Sequence, residues 1–317
     1  MFARRSTRPG LGRRLTGTTP IADGLLLVDK PAGPSSHDVV AVARRVLGVR
    51  QVGHAGTLDP FATGLLVILV GRATRLIQYL HDDPKRYEAV IVFGSETDTE
   101  DAGGVPVRQA ARPTRDALLA ILPKFLGELQ QVPPAYSAKR IAGKRAYELA
   151  RAGQDVELKA STIEIHEVAL SDFEEHEGTV ATCRMRVSCG GGTYIRSLAR
   201  DIARAAGTAG HLSALRRHQA GVFELGRSIP FEQLCAGVAA LSPTIDALEG
   251  HAVQALTPEE LRQVVRGIDA EARVDGAFAA LVDPSAQDAS TALVAFAQRR
   301  PSERGDRWQP RVVMRDP

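Results

Sequence analysis

Residues 181–188 alternate without a break: Ala181, Cys183, Met185 and Val187 fall on one side, Thr182, Arg184, Arg186 and Ser188 on the other. A period of two with one apolar side is the pattern of a half-buried β-strand. Glycines 190–192 interrupt it, and the period then changes. From about residue 194 to 206, Ile195, Leu198, Ala199 and Ile202 recur at helical spacing, with Arg196, Arg200 and Arg204 four apart in a basic stripe. The fold must therefore accommodate both a sheet with one buried face and an amphipathic helix.

Other segments add to both classes. Residues 24–28 form an apolar run that stops at Asp29-Lys30-Pro31, a strand meeting a turn, and 65–70 read as a buried strand. Tyr87, Ala89, Ile91 and Phe93 share one face of another strand. Ser35 with Asp38 makes a capping box ahead of Val39, Val42, Ala43, Val46 and Leu47, and Gly48 stands where a C-terminal cap belongs. A second organisation begins at Thr257-Pro258-Glu259-Glu260, which supplies a cap, a first-turn proline and a capping box. Beyond it only short strand-like runs follow, at 278–282, 293–296 and 312–314.

Composition narrows the class. The 317 residues are 44% hydrophobic and 24% charged, enough to bury a full core. No apolar run reaches the length of a membrane span, and the N-terminal arginines lack the apolar stretch of a secretory signal, so cytoplasm is the expected compartment. Cys183, Cys189 and Cys235 have no CxxC spacing, against both zinc and a disulfide framework. The net charge of +3 is carried by Arg4, Arg5, Arg8, Arg13 and Arg14, so the remainder is slightly acidic. Residues 1–20 read as a disordered basic arm, either inert or a sequence-blind contact for phosphates.

The chemistry concentrates in Gly53-His54-Ala55-Gly56-Thr57-Leu58-Asp59-Pro60. Pro60 keeps Asp59 out of helical conformation, on a stiff loop just before a buried strand. Such a carboxylate can be a nucleophile, a base, a metal ligand or simply part of a structural turn. A metal is disfavoured: His54 and Asp59 have no third clustered ligand. The acidic run 96–101 also fails as a calcium loop, because starting at Asp98 places Ala102 and Gln109 where oxygen ligands belong. That run reads instead as a solvated hairpin turn. Glycines 190–192 lack the ending of a phosphate loop.

An ordered series of motifs now becomes recognisable. Asp29-Lys30-Pro31-x-Gly33-x-Ser35-Ser36 is followed by Gly53-His54-x-Gly56-x-Leu58-Asp59-Pro60-x-Ala62-Thr63-Gly64, then Lys85-Arg86-Tyr87 and Gly94-x-x-Thr97-Asp98-Thr99-x-Asp101. Pro133-Pro134-x-Tyr136-Ser137-Ala138, Gly192-Thr193-Tyr194-Ile195-Arg196 and Leu215-Arg216-Arg217 complete it. Across residues 23–225 the chain closely resembles the TruB family of bacterial tRNA pseudouridine synthases.

The resemblance implies an α+β fold. A catalytic domain at 21–248 is built around a mixed, largely antiparallel sheet, and a small β-rich PUA-like domain follows at 249–317. The implied reaction isomerises the T-loop uridine at position 55 of tRNA to pseudouridine, with the base flipped out of the RNA and with no cofactor and no metal. Asp59 matches the family nucleophile and Arg196 the arginine paired with it. Tyr87 matches the tyrosine that stacks on the base, and His54 the histidine that holds the flipped arrangement. Tyr194 and Leu215 join them as pocket residues. Lys30 is assigned as a phosphate or site-wall contact, whereas Arg200 and Arg204 are left as surface or RNA-facing.

An insertion at about 124–154 is expected to grip RNA. Lys139, Arg140, Lys144 and Arg145 there are interleaved with Tyr136 and Tyr147, a mixture suited to phosphate contact and stacking. The implied partner is the tRNA T-arm, with no membrane, no obligate protein partner and a monomeric chain. Two other readings compete: a guide-dependent relative working inside a ribonucleoprotein, and a non-catalytic RNA-binding or tRNA-folding module. A nucleoside hydrolase is a third, but such enzymes generally use a second acid for the leaving group.

Overall fold

In the computed structural model, which describes residues 23–81, 83–137, 140–141, 144–145, 158–303 and 305–316, the apolar run at 65–70 lies at the centre of the molecule. It belongs to β3 (Thr63–Val70), which pairs antiparallel with both β1 (Gly24–Lys30) and β2 (Val52–Ala55). Leu66, Ile68 and Val70 pack with Val39, Val40 and Ala43 of helix α1 (Ser36–Leu47). Leu65, Val67 and Leu69 point the other way, into a cluster with Leu293 and Phe296 from the C-terminal part of the chain. Both faces of β3 are covered, so its sequence runs apolar instead of alternating. The expected capping box of α1 is present, with Ser35 and Asp38 exchanging hydrogen bonds, and Gly48 closes the helix at φ +66°. β1 runs two residues further than expected, to Lys30.

The main sheet continues through β4 (Lys85–Phe93), the edge strand β7 (Gly127–Gln131), β10 (Ser161–His176), β11 (Thr179–Cys189) and β12 (Gly210–Ala220). Two short strands, β13 (Phe223–Glu224) and β14 (Ile229–Pro230), complete its ten. The order is β14-β1-β3-β12-β4-β11-β10-β7, with β13 on β12 and β2 on β3. Only β1–β14 and β12–β3 are parallel; the remaining pairs are antiparallel. One face of β4, β11 and β12 carries Ala89, Ile91, Cys183, Met185 and Leu212 against helices α2 (Arg115–Ile121) and α3 (Ile195–Ala205). The seam between β3 and β12 is close: a Cβ on Gly64, at φ +100°, would lie 2.3 Å from the Arg217 carbonyl oxygen. β8 (Arg140–Ile141) and β9 (Lys144–Arg145) form a separate two-stranded ribbon. The side chains of Lys139, Arg140, Lys144 and Arg145 and the arm 1–20 lie outside what is described.

Two sequence expectations are corrected together. The acidic run does form a hairpin, β5 (Ser95–Thr97) with β6 (Pro106–Gln109), but it is not solvated: Glu96, Thr97 and Glu100 are buried. Of the two α3 arginines left as surface or RNA-facing, Arg200 is buried, whereas Arg204 is 51% exposed and remains at the surface. Arg200 pairs with Glu100 and Arg204 with Glu96, while Ser197 Oγ donates to Glu100 at 2.7 Å. Each misreading explains the other, because the basic stripe and the acidic hairpin neutralise one another where they pack.

The C-terminal sheet starts before the Thr257 cap. β15 (Ala252–Ala255), β16 (Ala270–Glu271), β17 (Phe278–Val282), β18 (Leu293–Arg300) and β19 (Arg307–Val313) are ordered β15-β17-β18-β19-β16. The capping box between Thr257 and Glu260 is formed. This sheet shares a core with the larger one, since Ala280, Phe296, Val312 and Met314 pack in one cluster with Leu25, Leu27 and Leu65. The three cysteines are free thiols. Among the described residues no helix is long and apolar enough to cross a membrane.

Candidate active site

The loop joining β2 to β3 carries Asp59, and side chains from three other elements hold it in place. Ser36, at the start of α1, donates to the Leu58 carbonyl at 3.0 Å and accepts from the Leu58 N–H at 2.9 Å. Arg217 of β12 donates to the Gly56 carbonyl at 3.0 Å. Lys30, at the end of β1, donates to the carbonyls of Pro31, Pro60 and Ala62 at 2.8, 3.2 and 2.7 Å. With its side chain fully buried and its ammonium directed at three carbonyls, Lys30 is not available to a phosphate. It is instead a strut beneath the Asp59 loop, and burial lowers its pKa to about 8.

Asp59 meets Arg196 in a two-point pair, Oδ2 to Nε at 2.9 Å and Oδ1 to Nη2 at 3.1 Å. The arginine is 4% exposed and the aspartate side chain 34%, so the cation is enclosed while the carboxylate still opens outward. Arg196 also donates to the carbonyls of Thr99 and Tyr136, at 2.6 and 2.9 Å, and lies 3.7 Å from Asp101. Burial pushes the Asp59 carboxyl above the usual range, and the Arg196 charge and hydrogen bonds pull it back.

This pair lies in a cavity of about 1000 Å³. Tyr87, Tyr194, Leu215 and His54 line it, so the residues expected from sequence converge here with the exception of buried Lys30. Tyr87 and Leu215 come from the adjacent strands β4 and β12. Burial keeps the Tyr87 phenol protonated well above neutrality, although the neighbouring Arg217 charge opposes it. Tyr194 caps α3, and its backbone is clamped by the buried Gln131, which accepts from Tyr194 N at 2.9 Å and donates to Tyr194 O at 3.1 Å. His54 stands edge-on to His37 at 5.3 Å, and burial lowers its pKa to about 4, so it is neutral at physiological pH.

Sequence reasoning did not place Arg217, Asp101, Ser36 or Gln131 in this site. Arg217 carried a usable signal: it lies two residues beyond Leu215 on the same strand and therefore shares its face. Asp101 carried none by spacing, since the acids at 96, 100 and 101 are four and one apart whereas the arginines at 204, 200 and 196 are evenly four apart. Ser36 and Gln131 carried none, because both act on backbone groups distant in sequence. Among the described residues no three His, Cys, Asp or Glu side chains gather as a metal site would require.

Comparison with known proteins places the chain among relatives. Residues 44–195 match the model of the TruB family pseudouridylate synthase N-terminal domain. The chain is 44% identical over 252 residues to the tRNA pseudouridine synthase B of Thermobifida fusca (strain YX), spanning 78% of this chain and 86% of that protein. It is 42% identical over 277 residues to the protein of the same name from Arthrobacter sp. (strain FB24), spanning 86% and 89%. Among solved structures, an H/ACA RNP bound to a substrate RNA containing 2'-deoxyuridine superimposes with a TM-score of 0.67 at 22% identity, covering 93% of this chain and 86% of that one. An archaeal box H/ACA sRNP Nop10–Cbf5 complex gives 0.66, also at 22% identity. At that identity the likeness is one of fold.

Proposed function

Since the chain belongs to the TruB family of pseudouridylate synthases, we propose that it isomerises the T-loop uridine at position 55 of tRNA to pseudouridine, with Asp59 as the nucleophile. The observation that carries this reading is the Asp59–Arg196 pair: a carboxylate on a braced loop, clamped at both oxygens by an enclosed guanidinium and open to a nucleotide-sized cavity.

The reaction breaks the bond between N1 of uracil and C1′ of the ribose and forms one from C5 to the same carbon. C5 gives up a proton and N1 ends protonated, so mass and redox state are unchanged. Asp59 supplies the attacking oxygen, and its two-point hydrogen bonding aims that oxygen while the positive charge favours its ionised form. Tyr87 and Leu215 offer the base a stacking and packing surface. A uridine within an RNA loop must leave its stack to enter the cavity, which costs a few kcal/mol and favours a loop over a duplex.

The basic residues Lys139, Arg140, Lys144 and Arg145 serve in this reading as phosphate contacts. Residues 249–317 act as a PUA-like RNA-binding unit. The enzyme works as a monomer in the cytoplasm without an obligate protein partner. Asp59→Asn keeps the size and most hydrogen bonds of the side chain while removing its nucleophilicity. The variant is expected to bind tRNA within about twofold of wild type and to release no tritium from transcripts labelled at uridine C5. Release at a tenth of the wild-type rate would remove Asp59 from its role.

A further inference from the structure

Four buried side-chain polar atoms among the described residues have no hydrogen-bond partner: His54 Nδ1, Ser137 Oγ, Thr244 Oγ1 and Gln309 Oε1. Two of these residues, His54 and Ser137, line the Asp59 cavity. Ser137 is the more informative, since it is 4% exposed and its hydroxyl lacks both a donor and an acceptor. Leaving such a group unpaired is costly and rare in native proteins, and a ligand that completes the pairing is one way to offset the cost.

The backbone around Ser137 is held by two arginines of α3. Arg200 Nη2 donates to the Val132 carbonyl at 2.9 Å, and Arg196 Nη2 donates to the Tyr136 carbonyl at the same distance. Between them lie Pro133 and Pro134, both buried and both with restricted φ. Residues 132–136 thus form a stiff strap fastened at each end, and Ser137 follows its second fastening directly. The guanidinium at that fastening is the one that clamps Asp59. The hydroxyl is therefore registered to the nucleophile through one shared side chain. Sequence motifs singled out Ser137 without giving it a task.

We propose that Ser137 contacts the substrate, its hydroxyl hydrogen-bonding the uridine held over Asp59. Uracil presents two carbonyl oxygens and an N–H, and ribose presents hydroxyls, so a rotatable hydroxyl can pair with either half of the nucleoside. The proposal rests on the uridine-isomerase reading above.

The test is Ser137→Ala in the full-length chain. Removal of an unpaired hydroxyl leaves the melting temperature unchanged or raises it. Single-turnover isomerisation at saturating tRNA falls about three- to tenfold, the value of one neutral hydrogen bond. Transcripts with 2'-deoxyuridine at the target position locate the contact: the Ala penalty disappears on them if the partner is the ribose 2'-hydroxyl and persists if it is the base. A wild-type rate in Ser137→Ala overturns the proposal. So does a lowered melting temperature, which would mean that the hydroxyl is already paired in the free protein. A wild-type protein inactive on tRNA would instead refute the isomerase reading, so the two failures are distinguishable.

Discussion

Replacing Lys30 by Met keeps most of the aliphatic stem and deletes the ammonium from beneath the Asp59 loop. Of the three carbonyls that accept from it, that of Pro60 retains the Gly33 N–H at 2.8 Å, so the loss falls on Pro31 and Ala62. Hydrogen bonds from a charged donor contribute about 1.5–3 kcal/mol each, or about 3–6 kcal/mol for the two. Against this stands the cost of burying the charge. The fall of the lysine pKa from 10.5 to about 8 corresponds to about 3 kcal/mol. Met avoids that cost and forgoes both bonds. The bonds lost less the cost relieved leave a net loss of up to about 3 kcal/mol, a fall in melting temperature of up to about 12 °C for a unit of this size.

The linkage has a definite sign. Between pH 8 and 10.5 the unfolded chain holds the Lys30 proton and the folded chain has released it, so this lysine makes stability rise with pH across that window. The stability gap between wild type and Lys30→Met should therefore widen from pH 8 upward. Because the loop carries the nucleophile, the single-turnover rate at saturating tRNA is expected to fall about a hundredfold. Affinity for tRNA should change little, since the lysine is fully buried. Melting curves from pH 7 to 10 with a tritium-release assay measure all three quantities. A variant that turns over within about twofold of wild type would refute the strut.

Two further expectations concern charge. Glu100→Ala removes one of the two carboxylates that meet the buried Arg200 guanidinium, which keeps Asp201 at 2.8 Å, and is expected to cost about 1.5–3 kcal/mol in chemical denaturation. Glu100→Gln, which keeps an acceptor for Arg200 and Ser197, should cost clearly less, and equal losses would refute a role for the acceptor. Neutralising Lys139, Arg140, Lys144 and Arg145 together should weaken tRNA binding and lower its salt slope by about 0.9 per lost contact, leaving the rate at saturating RNA intact. An unchanged salt slope would show that these residues do not meet phosphate.

Local signals in the sequence were sufficient for local structure. Ser35 with Asp38 and Thr257 with Glu260 announce their helices because a capping box closes within three residues. The alternation at 181–188 announces β11 because a strand with one dry face must alternate. The loop around Asp59 stands out because glycines and a proline restrict its backbone whatever surrounds it. Periodicity says that a face is buried or charged but does not name what covers it. The arginines of α3 and the acids of the β5–β6 hairpin each looked solvated, and only their packing, about 100 residues apart in the chain, joined the two polar surfaces in ion pairs around the buried Glu96 and Glu100. Lys30 looked like a turn lysine until the fold laid the Asp59 loop across it. The insertion of β12 between β3 and β4 carries Leu215 and Arg217 to the nucleophile, and that order comes from the pairing of strands remote in sequence. Residue types and spacing specified which groups could do the chemistry, whereas tertiary packing decided which charges face one another, because a charge is paired or solvated according to its neighbours in space.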